Sequence, residues 1–241
     1  MMPSQSCSAQ SPIDIRYTEC KFDPKLDDDS WHFDYSLGDC ISIVNNGHTW
    51  AVLCEPAVDS TVTASHLPAT YKLVQFHAHW GSNSWNGSEH LILSKGFASE
   101  LHFVFYNTNC GTFEQALQQH NGLAVVAVFM EESAHDCNNE ALQPLIDAVE
   151  KISHPNERTS LPYDFDPRKL WPEKKSFWTY SGSLTTPPYS ECVLWSVLRD
   201  PIPVSFAQLQ TMRRINSRNV REPQALDGRV VRASFELGGH I

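Results

Sequence analysis

Seven short runs rich in β-branched and aromatic residues recur along the chain, at residues 41–44, 50–54, 71–80, 101–106, 123–130, 178–181 and 192–198. Clusters of Gly, Asn, Pro and Ser separate most of them, the punctuation expected between strands. Helices read as few and peripheral. One is predicted over 113–120, with Thr112 as N-cap and Gly122 closing it, and a second over 140–152, where Leu142, Leu145, Ile146, Val149 and Ile152 form one apolar stripe. A third starts at Ser205, which forms a capping box with Gln208. Many strands with few covering helices predict a large, twisted, mostly antiparallel sheet flanked by short helices, a mainly β (α+β) class.

No repeat, low-complexity tract or flexible linker interrupts the 241 residues, 41% of which are hydrophobic, so a single domain is expected over 1–241. Within it, 1–9 form a short N-terminal arm and 236–241 a C-terminal tail. Eighteen Lys and Arg against 28 Asp and Glu leave a net charge of −10, with no run of five like charges. This argues against nucleic acid and anionic membranes as partners. No stretch approaches the ~18 apolar residues of a membrane span, and the opening residues lack the pattern of a leader, so a cytoplasmic location is expected. The seven cysteines are dispersed and include no CxxC pair, and they read as mostly reduced thiols.

Two strands carry chemistry. In Gln75-Phe76-His77-Ala78-His79-Trp80, alternation puts Gln75, His77 and His79 on one face and the apolar residues on the other. In Glu100-Leu101-His102-Phe103-Val104 it groups Glu100, His102 and Val104. Two imidazoles two residues apart can converge on one ion, and a third can come from a neighbouring strand. Three neutral imidazoles leave one position of tetrahedral Zn2+ open, as catalytic sites do. Gln75 and Glu100 are placed to accept from the ligands' outer ring N–H groups. An HxH pair alone is more often two partly exposed histidines than a metal site.

The spacing Ser88-Glu89-His90-Leu91-Ile92, Phe97, Glu100-Leu101-His102-Phe103-Val104 resembles the signature of the α-class carbonic anhydrases. The resemblance extends through Gln10-Ser11-Pro12-Ile13-Asp14, Asn45-Asn46-Gly47-His48, the histidine strand, 178–188, 191–195 and 232–235. It implies a central, mostly antiparallel sheet of about ten strands, cis bonds at Ser11-Pro12 and Pro187-Pro188, and reversible zinc-dependent hydration of carbon dioxide to bicarbonate. By the same resemblance His77, His79 and His102 are the zinc ligands, and Gln75, Glu100 and the Asn219 carbonyl hold their outer nitrogens. Thr185 orients the attacking oxygen and donates to Glu89. Val104, Val125, Leu184 and Trp195 form the apolar substrate wall, beside which Thr186 lies, and His48 relays the proton. Without the resemblance, the wall residues read as ordinary core, Glu89 as a surface carboxylate, Thr185 to Pro188 as a turn and His48 as a solvated loop histidine.

Departures from the family pattern carry expectations of their own. Nine residues precede Gln10, so a family tyrosine of the active-site water network has no counterpart. The shortened stretch between Ile215 and Asn219 is expected to shift Asn219 and loosen its hold on a ligand. Ala51 stands where many members order water with a polar residue. Tyr189 replaces a cysteine that secreted members bridge to the N-terminal region, which leaves Cys7 without that partner. The expected protein is a monomer acting on small molecules, with weak ester hydrolysis as a side activity. A catalytically silent relative serving as a binding protein is the alternative.

Overall fold

The computed structural model describes residues 8–55 and 57–237. In chain order the elements are β1 (Asp14–Ile15), β2 (Cys20–Phe22), β3 (His32–Asp34), β4 (Ser42–Asn45), β5 (Trp50–Leu53), β6 (Thr61–Thr63), β7 (Tyr71–Trp80), β8 (Leu91–Ile92), β9 (Ser99–Asn107), α1 (Phe113–Ala116), β10 (Leu123–Glu132), α2 (Gln143–Val149), β11 (Arg158–Ser160), β12 (Phe177–Gly182), β13 (Val193–Val204), α3 (Phe206–Arg213) and β14 (Val231–Ala233). Twelve strands form one sheet in the order β11, β4, β5, β7, β9, β10, β13, β12, β14, β2, with β6 joined to β7 and β3 to β6. Its pairs are antiparallel except β10 with β13 and β14 with β2, so the sheet is mixed. β1 and β8 make a separate parallel pair.

Alternation along the central strands sorts side chains to two faces. Phe76, Ala78, Trp80, Leu101, Phe103 and Phe105 join the larger apolar cluster, which α2 and α3 cover through Leu145, Val149, Leu209 and Met212. Val104, Val125, Ala127, Phe129, Trp195 and Val197 belong to a second cluster on the opposite face. The histidines share that second face. Both bonds expected to be cis, Ser11-Pro12 and Pro187-Pro188, are cis.

The helices are shorter than the sequence suggests. Thr112 and Gln115 form a capping box, yet regular helix stops at Ala116. The chain then tightens into three-residue turns, Gln118 N–H to Gln115 O and Gln119 N–H to Ala116 O. Gly122 follows so closely that a Cβ there would lie 1.8 Å from Ala116 O. In α2 the residues before Gln143 wind around Asn139, whose side chain accepts from Ala141 N at 3.0 Å, and Pro144 opens the helix proper. The Ser205–Gln208 box caps α3 as expected.

Strand β13 runs through Pro201 to Val204, beyond the expected end at 198. Its register against β10 jumps between Val128 and Met130, so Pro201 sits where the ladder is already broken. The six cysteines among the described residues are free thiols, and Cys7 lies outside those residues.

Candidate metal centre

β7 and β9 lie side by side in the middle of the sheet, with His77 opposite His102 and His79 opposite Glu100. A period-two strand thus supplies two imidazoles and its neighbour a third. The ring centroids are 5.0 Å (His77 to His79), 5.4 Å (His77 to His102) and 4.6 Å (His79 to His102) apart. One nitrogen from each lies within 4.8 Å of the others.

The outer nitrogen of every ring has an acceptor. His77 Nδ1 donates to Gln75 Oε1 at 2.9 Å, His79 Nδ1 to the Asn219 carbonyl at 2.9 Å, and His102 Nε2 to Glu100 Oε1 at 2.7 Å. An acceptor at each outer position fixes the tautomer and turns the remaining lone pair inward. The His77 and His79 Nε2 atoms consequently face one another at 3.1 Å. Two lone pairs at that separation repel unless a cation is shared between them, so the donor set fits a divalent metal. Burial, reinforced by neighbouring imidazoles, lowers His77 far below the ordinary imidazole range, and burial brings His79 to about 4. His102 is lowered by burial against the pull of Glu100. The rings are neutral near pH 7, the state a metal requires.

Glu100 does more than hold one ligand. Its Oε1 accepts from His102 and from His90 Nδ1, both at 2.7 Å, while Oε2 accepts the backbone N–H groups of Glu89 and His90, both at 2.8 Å. Burial would raise its carboxyl, but His90 and His102 prevail and hold it well below the usual carboxylate range. His90 is in turn fixed by Tyr180 Oη at 2.7 Å, and Tyr180 bonds Ser11 Oγ at 2.9 Å. The sequence singled out neither His90 nor Tyr180 for a role. His90 stands beside Glu89, and its only signal was position within the motif.

The expected loosening of the Asn219 contact is not seen, since its carbonyl lies 2.9 Å from His79 Nδ1. Asn219 Oδ1 accepts from Trp80 N at 2.7 Å, and Nδ2 donates to the carbonyls of His48 and Ala78 at 3.2 Å. These contacts clamp Asn219 between β7 and the turn bearing His48, so its carbonyl meets His79 despite the shortened approach. His48 itself is exposed in that turn, and its charge bears on His77 and His79.

Glu89 is fully buried beside the cluster. Its Oε1 accepts from Arg221 N at 2.8 Å and lies 3.3 Å from His79 Nδ1. Burial pushes its carboxyl up to about 7, against the opposing influence of His102 and of the Thr185 hydroxyl beside it. Glu89 Oε2 takes no hydrogen bond of ordinary geometry among the described residues. The Arg221 amide, like any backbone donor, had no sequence signal. Val125 pairs with both Val104 and Trp195, one row of residues away from His102, and Leu184 packs on the same apolar cluster. The Trp195 ring lies 4.9 Å from that of His102. Thr185 is buried and Thr186 half-buried in the loop after β12. Ala51 is directly opposite His77. A separate surface cavity of about 500 Å3, lined in part by Tyr17, Phe97, Trp178 and Arg199, shares no residue with this cluster.

Sheet and centre together define a β-protein whose middle strands carry three imidazoles placed so that they could hold a metal ion. The family model of eukaryotic-type carbonic anhydrase matches residues 1–235, and the chain belongs to the carbonic anhydrase family. It is similar to carbonic anhydrase 3 of Homo sapiens, 36% identical over 98% of this chain and 93% of that protein. Carbonic anhydrase 3 of Equus caballus is 39% identical, and that of Mus musculus 38%, each over 94% of this chain and 90% of the relative. The family is one of lyases that hydrate carbon dioxide. Among the described residues, no helix is long and apolar enough to cross a membrane.

Proposed function

We propose that this chain is a working zinc carbonic anhydrase, interconverting carbon dioxide and bicarbonate as a monomer, with weak hydrolysis of activated esters as a side activity. The observation that carries the reading is the set of three inward lone pairs, on His77 Nε2, His79 Nε2 and His102 Nδ1, each enforced by a separate acceptor on the opposite ring nitrogen. Zinc held there supplies a Lewis acid that acidifies water, an effect for which carbonic anhydrases are the standing example.

The remaining groups divide the work. Thr185, by donating its proton to Glu89, is left able only to accept on its other side, and so selects an O–H group in one orientation. Glu89 is held in place for this by the Arg221 amide. Val104, Val125, Leu184 and Trp195 offer carbon dioxide an apolar surface without competing hydrogen bonds, and Thr186 borders the product. His48, exposed at the rim and tied through its carbonyl to Asn219, takes the proton that hydration releases and passes it to solvent.

Metal analysis tests the ligand set. The zinc-replete protein should hold one zinc per chain and His102→Ala should hold much less, with far-ultraviolet circular dichroism unchanged. Full zinc retention by His102→Ala would remove His102 from the centre.

A further inference from the structure

A second reactive cluster lies away from the histidines. Cys40, fully buried, precedes β4, and Cys54, half-buried, follows β5; the two strands are antiparallel neighbours with Ser42 opposite Leu53. The two sulfurs are 3.1 Å apart. That is closer than unbonded sulfurs normally rest and about 1 Å longer than a disulfide bond of ~2.05 Å. Both backbones are anchored, Cys40 N donating to Tyr35 Oη at 3.2 Å and Cys54 N to Val74 O at 3.0 Å. Cys54 also lines a surface cavity of about 330 Å3 together with Phe113 and Glu114, which gives a small reagent a way in.

We propose that Cys40 and Cys54 are an oxidation site, cross-linked by exchange with a low-molecular-weight disulfide such as oxidised glutathione. The Cys54 thiolate attacks one glutathione sulfur, breaking its S–S bond and expelling a glutathione thiolate. Cys40 then gives up its proton and attacks the Cys54 sulfur, expelling the second glutathione. Two protein thiols are oxidised, one glutathione disulfide is reduced to two thiols, and both protons end on glutathione. The hydrogen bond with Cys40 and burial keep Cys54 protonated far above the ordinary thiol range, so the exchange is slow.

Asp39 stands close enough to make a three-donor group with the two sulfurs, which raises the alternative of a metal. Two thiolates on one tetrahedral zinc, at ~2.3 Å each, would stand about 3.8 Å apart. The observed 3.1 Å is too short for that. The cross-link would close the β4–β5 hairpin, whose turn carries His48.

The test uses the zinc-loaded protein incubated with oxidised glutathione or with dithiothreitol, read by peptide mass mapping after alkylation and by thermal unfolding. A Cys40–Cys54 cross-linked peptide should form without retained glutathione. The midpoint should rise by roughly 5–10 °C, as expected for closing a loop of this length, and fall back on reduction. Cys40→Ser should stop the reaction with glutathione still on Cys54, and Cys54→Ser should block it altogether. Wild-type protein that keeps both thiols alkylatable, or that stalls as a mixed disulfide on Cys54, overturns the proposal. Thiols protected until a chelator is added would also overturn it, in favour of a metal. The mapping of wild type stands whether or not the variants fold.

Discussion

Replacing Glu100 by Gln changes one atom in the site and should be felt by both metal and fold. The carboxylate accepts four hydrogen bonds, two on each oxygen, and three of its donors, the two backbone N–H groups and the ligand-bearing His102, cannot reverse. An amide must put its NH2 on one side. Toward the backbone it meets the N–H groups of Glu89 and His90, which are donors only. Toward the imidazoles it meets His102 Nε2–H, which must keep its proton for Nδ1 to remain a ligand. Depending on the orientation, one or two buried donors are left facing a donor, at ~1–3 kcal/mol each, or roughly 1–6 kcal/mol in all. Loss of the orienting partner of a ligand should also weaken zinc by about 10–100-fold. Chelator competition measures the second effect and denaturant unfolding at saturating zinc, where the His102 tautomer is held, the first. Gln75→Ala, which removes one neutral hydrogen bond to the half-buried His77, should cost only about 0.5–1.5 kcal/mol. If Glu100→Gln matched wild type in both assays, or fell no further than Gln75→Ala, the four-bond reading of Glu100 would be refuted.

Two further outcomes follow from the same geometry. His48→Ala should lower kcat at least tenfold in dilute buffer while leaving kcat/KM nearly unchanged, and added imidazole should restore much of the loss; an unchanged kcat would make His48 an ordinary loop residue. In the zinc-free protein, Glu89 keeps its proton up to about pH 7 when folded but ionises near ~4.3 when unfolded. The folded state then binds more protons across that window, so the contribution is present below the unfolded value and is lost as pH rises toward 7, on the order of a few kcal/mol. Glu89→Gln, which can still accept from Arg221 N, should flatten that decline in unfolding free energy between pH 5 and 8; an unaltered slope would mean that Glu89 ionises normally.

The parts of this fold that the sequence announced are those where one local rule dominates. An apolar run with alternation through its histidine half gave β7 its expected bounds, 71–80, despite a register shift between Leu73 and Gln75, and a capping box located the start of α3. The strands β3, β6 and β11, three residues each with mostly polar or half-buried side chains, carry too little pattern to register and exist because longer neighbours offer them a ladder. The parallel pairing of β10 with β13 is likewise a product of topology, as both read simply as buried apolar runs. At the site, the three histidines and their Gln75 and Glu100 partners were legible through the two-residue period. Asn219, His90 and the Arg221 amide act through long-range contacts, and no local pattern encodes them. The short approach to Asn219 suggested a loosened contact because spacing was the only information, whereas its side chain is pinned by three backbone groups from other segments.

Stopped-flow measurement of carbon dioxide hydration, before and after zinc removal and after adding back one equivalent, addresses the central claim most directly. Hydration well above the buffer rate, lost with the metal and recovered at one zinc per chain, is the outcome that the three inward lone pairs call for. A protein that binds one zinc at this centre yet hydrates carbon dioxide no faster than buffer would contradict the account and make the chain a silent member of its family.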